Sequence, residues 1–164
     1  EQSEIINTFE VTKYGTFPSD MVGKISFYSQ AANSLTGDDV RISKRLYIPY
    51  KKLRGFEKGK VGPKDDNSYI GGNYVSALNL STTLPQILPS LQNTDFSFFV
   101  DMANVWGVDY NSSIDDGSTL RSSAGLSIDL LTAIGPLNFS FSETISKASS
   151  DRTESFRFNI GTSF

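Results

Sequence analysis

Leu53, Arg54, Gly55 and Phe56 stand together inside the stretch KLRGFEKGKVGPK, which runs from Lys52 to Lys64. An arginine offers five donors in a rigid fork and binds a carboxylate through two parallel hydrogen bonds. Gly55 permits tight passage of the backbone, and Phe56 can pack against a wall. The chemistry open to such a cluster is docking, not bond-making. The rest of the sequence agrees. It contains no histidine and no cysteine, so a Ser–His–Asp site, a disulfide and a thiolate-held metal are all excluded. Asp115 and Asp116 are adjacent carboxylates in what reads as a mobile loop, where burial is not expected to tune them. The run DYNSSIDDG from Asp109 to Gly117 has Ile114 where a calcium loop needs glycine. GFEKGK lacks the spacing of a phosphate loop. No catalytic residue, metal site or cofactor follows, and the chain reads as a non-enzyme.

Charge is the second clue. The net charge is −3, yet nine of the fifteen lysines and arginines lie between Arg41 and Lys64. A basic run can bind nucleic acid or lipopolysaccharide. No stacking aromatics accompany this one, so it reads as a largely solvated loop, with no nucleic-acid partner.

The elements that must position these residues announce themselves by a period of two. In Thr94–Gly107, Phe96, Phe98, Val100, Met102 and Trp106 share one face, and Asp95, Ser97, Asp101 and Ala103 the other; Phe99 breaks the rule. Leu120, Ala124, Leu126, Ile128 and Leu130 oppose Arg121, Ser123, Gly125, Ser127 and Asp129. Leu137, Phe139 and Phe141 oppose Asn138, Ser140 and Ser142, and Phe156, Phe158, Ile160 and Phe164 oppose Ser155, Arg157 and Asn159. With three weaker cases, strands are expected at 3–13, 22–33, 72–84, 94–106, 120–132, 137–147 and 154–164. Short connections alternate with the long ones 34–71 and 107–119, as in barrels with short turns at one rim and long loops at the other. The polar faces carry Ser, Asn, Thr and Gly instead of the Lys and Glu that a water-facing sheet favours. Twelve Phe, seven Tyr and one Trp, in a chain only 38% apolar, suit an aromatic exterior. The expected fold is all-β, an antiparallel up-and-down transmembrane barrel; a soluble β-sandwich is the alternative. Seven strands fall short of the usual minimum of about eight, so residues 1–164 are expected to be the C-terminal portion of a larger barrel.

Five segments, in order, carry a resemblance: LRGF at 53–56 with GPK at 62–64, GGN at 71–73, FFVDMANVW at 98–106, SAGLSIDLLTAIGPLNFSF at 123–141, and ESFRFNIGTSF ending at Phe164. The chain resembles the C-terminal part of the BamA family of outer-membrane assembly barrels, with weaker similarity reaching back to about residue 3. The resemblance implies a sixteen-stranded barrel preceded by periplasmic POTRA domains, of which this chain would hold strands ten to sixteen. It implies that loop 34–71 folds back into the barrel, where Arg54 contacts an acidic lumen residue. Asp101 matches that acidic position. Two departures follow: Ala103 replaces the glycine of the Asp-x-Gly motif, and Ser81 stands where relatives place a glutamate. The segment YIPYKK before the motif also lacks the family's double glycine.

Further implications concern function. Phe156, Phe158, Ile160 and Phe164 resemble the C-terminal signal of outer-membrane proteins, with Thr162 as a mild exception. The implied role is to fold and insert outer-membrane proteins without ATP, in the bacterial outer membrane, with unfolded barrel proteins, assembly lipoproteins and membrane lipid as partners. A related secretion or autotransporter-assembly pore and the anchoring barrel of a surface lipase are alternatives. In isolation the seven strands are expected to self-associate, and the Arg54–Asp101 contact to be fragile, with the loop disordered or displaced.

Overall fold

The computed structural model describes residues 3–85, 93–115, 117, 119–133 and 135–161. Seven long strands form one sheet: β1 (Glu4–Thr16), β2 (Val22–Ser34), β5 (Tyr74–Thr83), β6 (Thr94–Trp106), β7 (Arg121–Thr132), β8 (Gly135–Ser146) and β9 (Phe156–Ile160). The spatial order is β1-β2-β5-β6-β7-β8-β9, and every neighbouring pair is antiparallel. Each strand thus returns beside the one before it, the connectivity of an up-and-down barrel wall. The pair β3 (Lys64–Asp65) and β4 (Ser68–Tyr69) makes a small hairpin within the long loop.

Most strand bounds fall close to the alternation. The ends differ for a local reason. Gly72 leaves the sheet because it bridges to Leu46 of the loop. The last strand starts at Phe156, since the Glu154 amide is already used by the carbonyl oxygen of Gly55.

The two faces of the sheet are inverted relative to a soluble protein. The small polar face is the buried one: Ser123 and Ser140 are fully buried, and Ser127 and Asn138 nearly so. The apolar face is open, with Phe98, Phe141 and Phe156 each 50% exposed. A soluble sandwich buries its apolar face against a second sheet; here no such sheet exists among the described residues, and the sandwich alternative is set aside. Near the long-loop rim the Tyr74 and Trp106 rings pack 5.8 Å apart, in register across β5 and β6, where a membrane-interface belt belongs.

What covers the polar face is the loop between β2 and β5. It folds back as the resemblance implies and is not displaced, while residues 35–39, Arg41, Lys44, Lys51, Lys58 and Lys60 remain exposed. Two short 3-10 turns, Ile42–Lys44 and Tyr50–Lys52, shape its first half. Its Val40, Leu46, Leu53, Phe56 and Val61 close over Tyr28, Ala32, Val75, Ala77, Ala103 and Val105 of the sheet to make one buried cluster. Part of the basic run is tied down by ion pairs. Arg41 pairs with Glu4 (2.5 Å), Lys52 with Glu10, Arg45 with Asp109 and Arg54 with Asp101. A cationic loop therefore meets an acidic wall, and composition alone does not show where each countercharge sits.

Candidate functional site: an inward-folded loop and its clasps

Strand β6 supplies the floor of the site. Alternation points Phe99, Asp101, Ala103 and Val105 toward the loop, and all four are buried. Asp101 has no exposed side-chain surface, so its charge must be met by donors. Four reach it. Arg54 donates its Nε to Oδ2 at 2.7 Å and its Nη2 to Oδ1 at 2.8 Å, and its backbone amide reaches Oδ2 at 3.0 Å. Asn79 of β5, directly opposite Asp101 in register, donates its Nδ2 to Oδ1 at 2.9 Å. The same Nδ2 also bonds the Lys52 carbonyl at 2.8 Å. The pocket therefore contains one carboxylate and an amide. Ser81, the position compared with a glutamate in relatives, pairs with Phe99 instead.

Phe99 breaks the alternation for a reason the geometry supplies. The Arg54 guanidinium lies 3.5 Å from the centre of its ring. A cation over an aromatic face is worth up to about 2 kcal/mol when desolvated. The ring fits because β7 places Gly125 opposite it: a Cβ there would lie 2.8 Å from Phe99 Cζ and 2.0 Å from the Phe141 carbonyl oxygen. Arg54 is thus held edge-on by Asp101 and face-on by Phe99.

Gly55 carries the chain across β7 and β8. Its φ of +87° is in the left-handed region, and a Cβ would sit 3.0 Å from Ser123 Cβ. The Ser123 hydroxyl donates to the Arg54 carbonyl, and the Thr144 hydroxyl to that of Gly55 at 3.2 Å. Phe56 is 2% exposed and forms an antiparallel bridge with Thr153. The four motif residues are thereby brought together with Asp101.

Several residues outside the motif hold the same loop. Arg157 of β9 donates Nη1 to the Tyr50 carbonyl (2.5 Å) and Nη2 to those of Leu53 (3.3 Å) and Phe56 (2.8 Å). Arg121 of β7 grips the fully buried Asp151, which also accepts the amides of Gly62 (3.0 Å) and Ala148 (2.7 Å). Asp109, the first residue of the calcium-like run, accepts from Arg45, Asn73 Nδ2 and the Val40 amide. Burial pushes its carboxyl up, but these donors outweigh that and hold it below the ordinary value of 3.8. The available sequence signal for Arg121 and Arg157 was arginine on a face otherwise made of small polar residues.

The C-terminal residues lie apart from this site. Phe156 and Phe158 stack on Phe141 and Phe139 at 5.1 and 5.0 Å on the exterior face, and Ile160 is 68% exposed. Phe164 lies outside the described residues.

An antiparallel up-and-down wall with an open apolar face and a basic loop clasped to its polar face defines a membrane β-barrel component. The model of the Omp85 superfamily domain matches residues 7–164, and the chain belongs to that superfamily. It is similar to the outer membrane protein assembly factor BamA of Neisseria meningitidis serogroup B, at 30% identity over 68% of this chain and 17% of that protein. It also matches the crystal structure of BamA from Haemophilus ducreyi lacking POTRA domains 1–3, with a TM-score of 0.78 and 28% identity over 96% of this chain and 34% of that one. The chain thus spans well under two thirds of both relatives. Its place is the bacterial outer membrane.

Proposed function

We propose that this chain is the C-terminal portion of a sixteen-stranded assembly barrel that folds and inserts outer-membrane proteins, with loop 34–71 as its internal plug. The observation that carries the reading is Arg54 clasped to Asp101 on the inner face, in a chain of the Omp85 superfamily whose similar proteins are assembly factors. The work is physical and needs no ATP, cofactor or catalytic residue. Unpaired strands are costly in lipid, because each unsatisfied backbone group there costs several kcal/mol. A barrel with a weakly closed seam offers strand-edge hydrogen bonds to an incoming strand. Strand β9 suits that seam because it lies at the end of the sheet; among the described residues its pairing with β8 runs over Phe156–Ile160 against Leu137–Phe141. Its partners would be unfolded outer-membrane proteins, assembly lipoproteins and membrane lipid, with Phe156, Phe158, Ile160 and Phe164 as its own C-terminal signal.

The test is replacement of Arg54 by Ala in the full-length protein, in cells depleted of the native copy. Lower levels of outer-membrane barrels and lost heat-modifiable gel mobility are expected. Normal growth together with normal mobility would sink the assignment.

A further inference from the structure

Arg157 is the cation of the last strand, and nothing in the clasp at Asp101 requires it. Its side chain is 2% exposed. Its Nε bonds Glu154 Oε1 at 2.7 Å, its plane stacks 3.5 Å from the centre of the Tyr50 ring, and its remaining nitrogens bond three loop carbonyls. Those carbonyls belong to Tyr50, the first residue of a 3-10 turn, to Leu53 just after that turn, and to Phe56 at the end of the motif. Such a turn leaves its last carbonyls without partners, and the fork of a guanidinium can satisfy several at once. Around it the loop is hydrogen-bonded to the segment entering β9: Glu57 N to Arg152 O, Arg152 N to Lys60 O, and Glu154 N to Gly55 O. The loop is therefore a strut, fixed to β6 by Arg54 and to β9 by Arg157.

We propose that Arg157 is a positioning residue that latches β9 to the plug loop, so that the strand edge frees itself only when this latch lets go. The functional half of the statement rests on the assembly reading above; the latch itself does not.

The experiment uses the full-length protein in lipid vesicles, with Arg157→Gln and Arg157→Lys beside the wild type. Hydrogen exchange is read at the Phe156–Ile160 amides and, separately, at the Arg54 amide, which bonds Asp101. Arg157→Gln is expected to speed exchange in β9 at least tenfold while the Arg54 amide stays protected. Arg157→Lys, which keeps the charge but loses the fork, is expected to fall between the two. Unchanged β9 exchange in both variants overturns the latch. Equal loss of protection at Arg54 and β9 in both variants also overturns it, by making Arg157 a general fold residue.

A second arm ties Glu57→Cys to Arg152→Cys by a disulfide and follows insertion of a urea-unfolded barrel protein. The tie is expected to slow insertion at least fivefold, with recovery on reduction; insertion at the unreduced wild-type rate overturns the gating role. Wild-type protein that inserts no substrate would contradict the assembly reading, while the exchange arm still decides the latch.

Discussion

Arg54 and Asp101 are the pair on which the site turns. Removing the cation leaves Asp101 buried, with only neutral donors, the Asn79 amide and the backbone N–H of residue 54, to answer it. Breaking a buried pair from one side typically costs about 3–5 kcal/mol. Arg54→Ala in the full-length protein should therefore lower the temperature at which the compact gel band is lost. Arg54→Lys should fail to restore it, because an ammonium cannot make the bidentate contact or lie flat on Phe99. Gly125→Ala tests the ring: a methyl there would strike Phe99 and the neighbouring strand, and a similar loss of thermal stability is expected without any change in charge. Asp109 gives a pH signature. Its folded carboxyl is held below 3.8, so its contribution is fully present above that value and is lost as pH falls through the lowered one. The melting temperature of the wild type should drop more steeply below pH 3.8 than that of Asp109→Asn; parallel curves would contradict this. Arg54, Phe56 and Asp101 were legible as types in a motif. Asn79 and Arg157 were not, because their roles depend on strand register and on where the loop lands.

At the scale of elements, the strands were legible and the loop was not. Period two is a local signal, and seven segments carried it nearly to their observed ends. The violation at Phe99 was visible but unexplained until the guanidinium was found above it. The order of the long loop is non-local. It depends on countercharges from β1, β6 and Asp109, and on Asp151 as acceptor of the Gly62 amide, all far away along the chain, so a basic composition read as solvated. Asp151 shows how much one such anchor holds: it bonds Arg121, Gly62 and Ala148 at once. Asp151→Ala strands the guanidinium of Arg121, whose side chain is 4% exposed. It should raise hydrogen exchange at the Gly62 amide at least tenfold, by the same logic of an unpaired buried charge. The Arg54 amide should keep its protection, since its own acceptor is Asp101. Unchanged exchange at Gly62 would show that the loop is held by apolar packing alone.

At the scale of the molecule, the decisive feature is the inversion of the sheet, with hydroxyls and amides inside and Phe and Leu outside. Burying one large apolar side chain is worth about 1.5–3 kcal/mol, so the open row of Phe98, Leu126, Phe141, Phe156 and Phe158 demands lipid, detergent or another copy. Expressed alone, this chain should self-associate or require detergent; a monodisperse monomer in plain buffer would contradict the barrel reading. Alternation suggested this inversion, and the burial of the small polar face beneath a basic loop made it concrete. The central claim is that the clasped barrel inserts other barrels, and vesicles containing the full-length protein test it most directly. With a urea-unfolded outer-membrane protein as substrate, the wild type should speed the appearance of folded, protease-resistant product at least tenfold over protein-free vesicles, and Arg54→Ala should lose most of that gain. Equal rates with and without the wild-type protein would contradict the account.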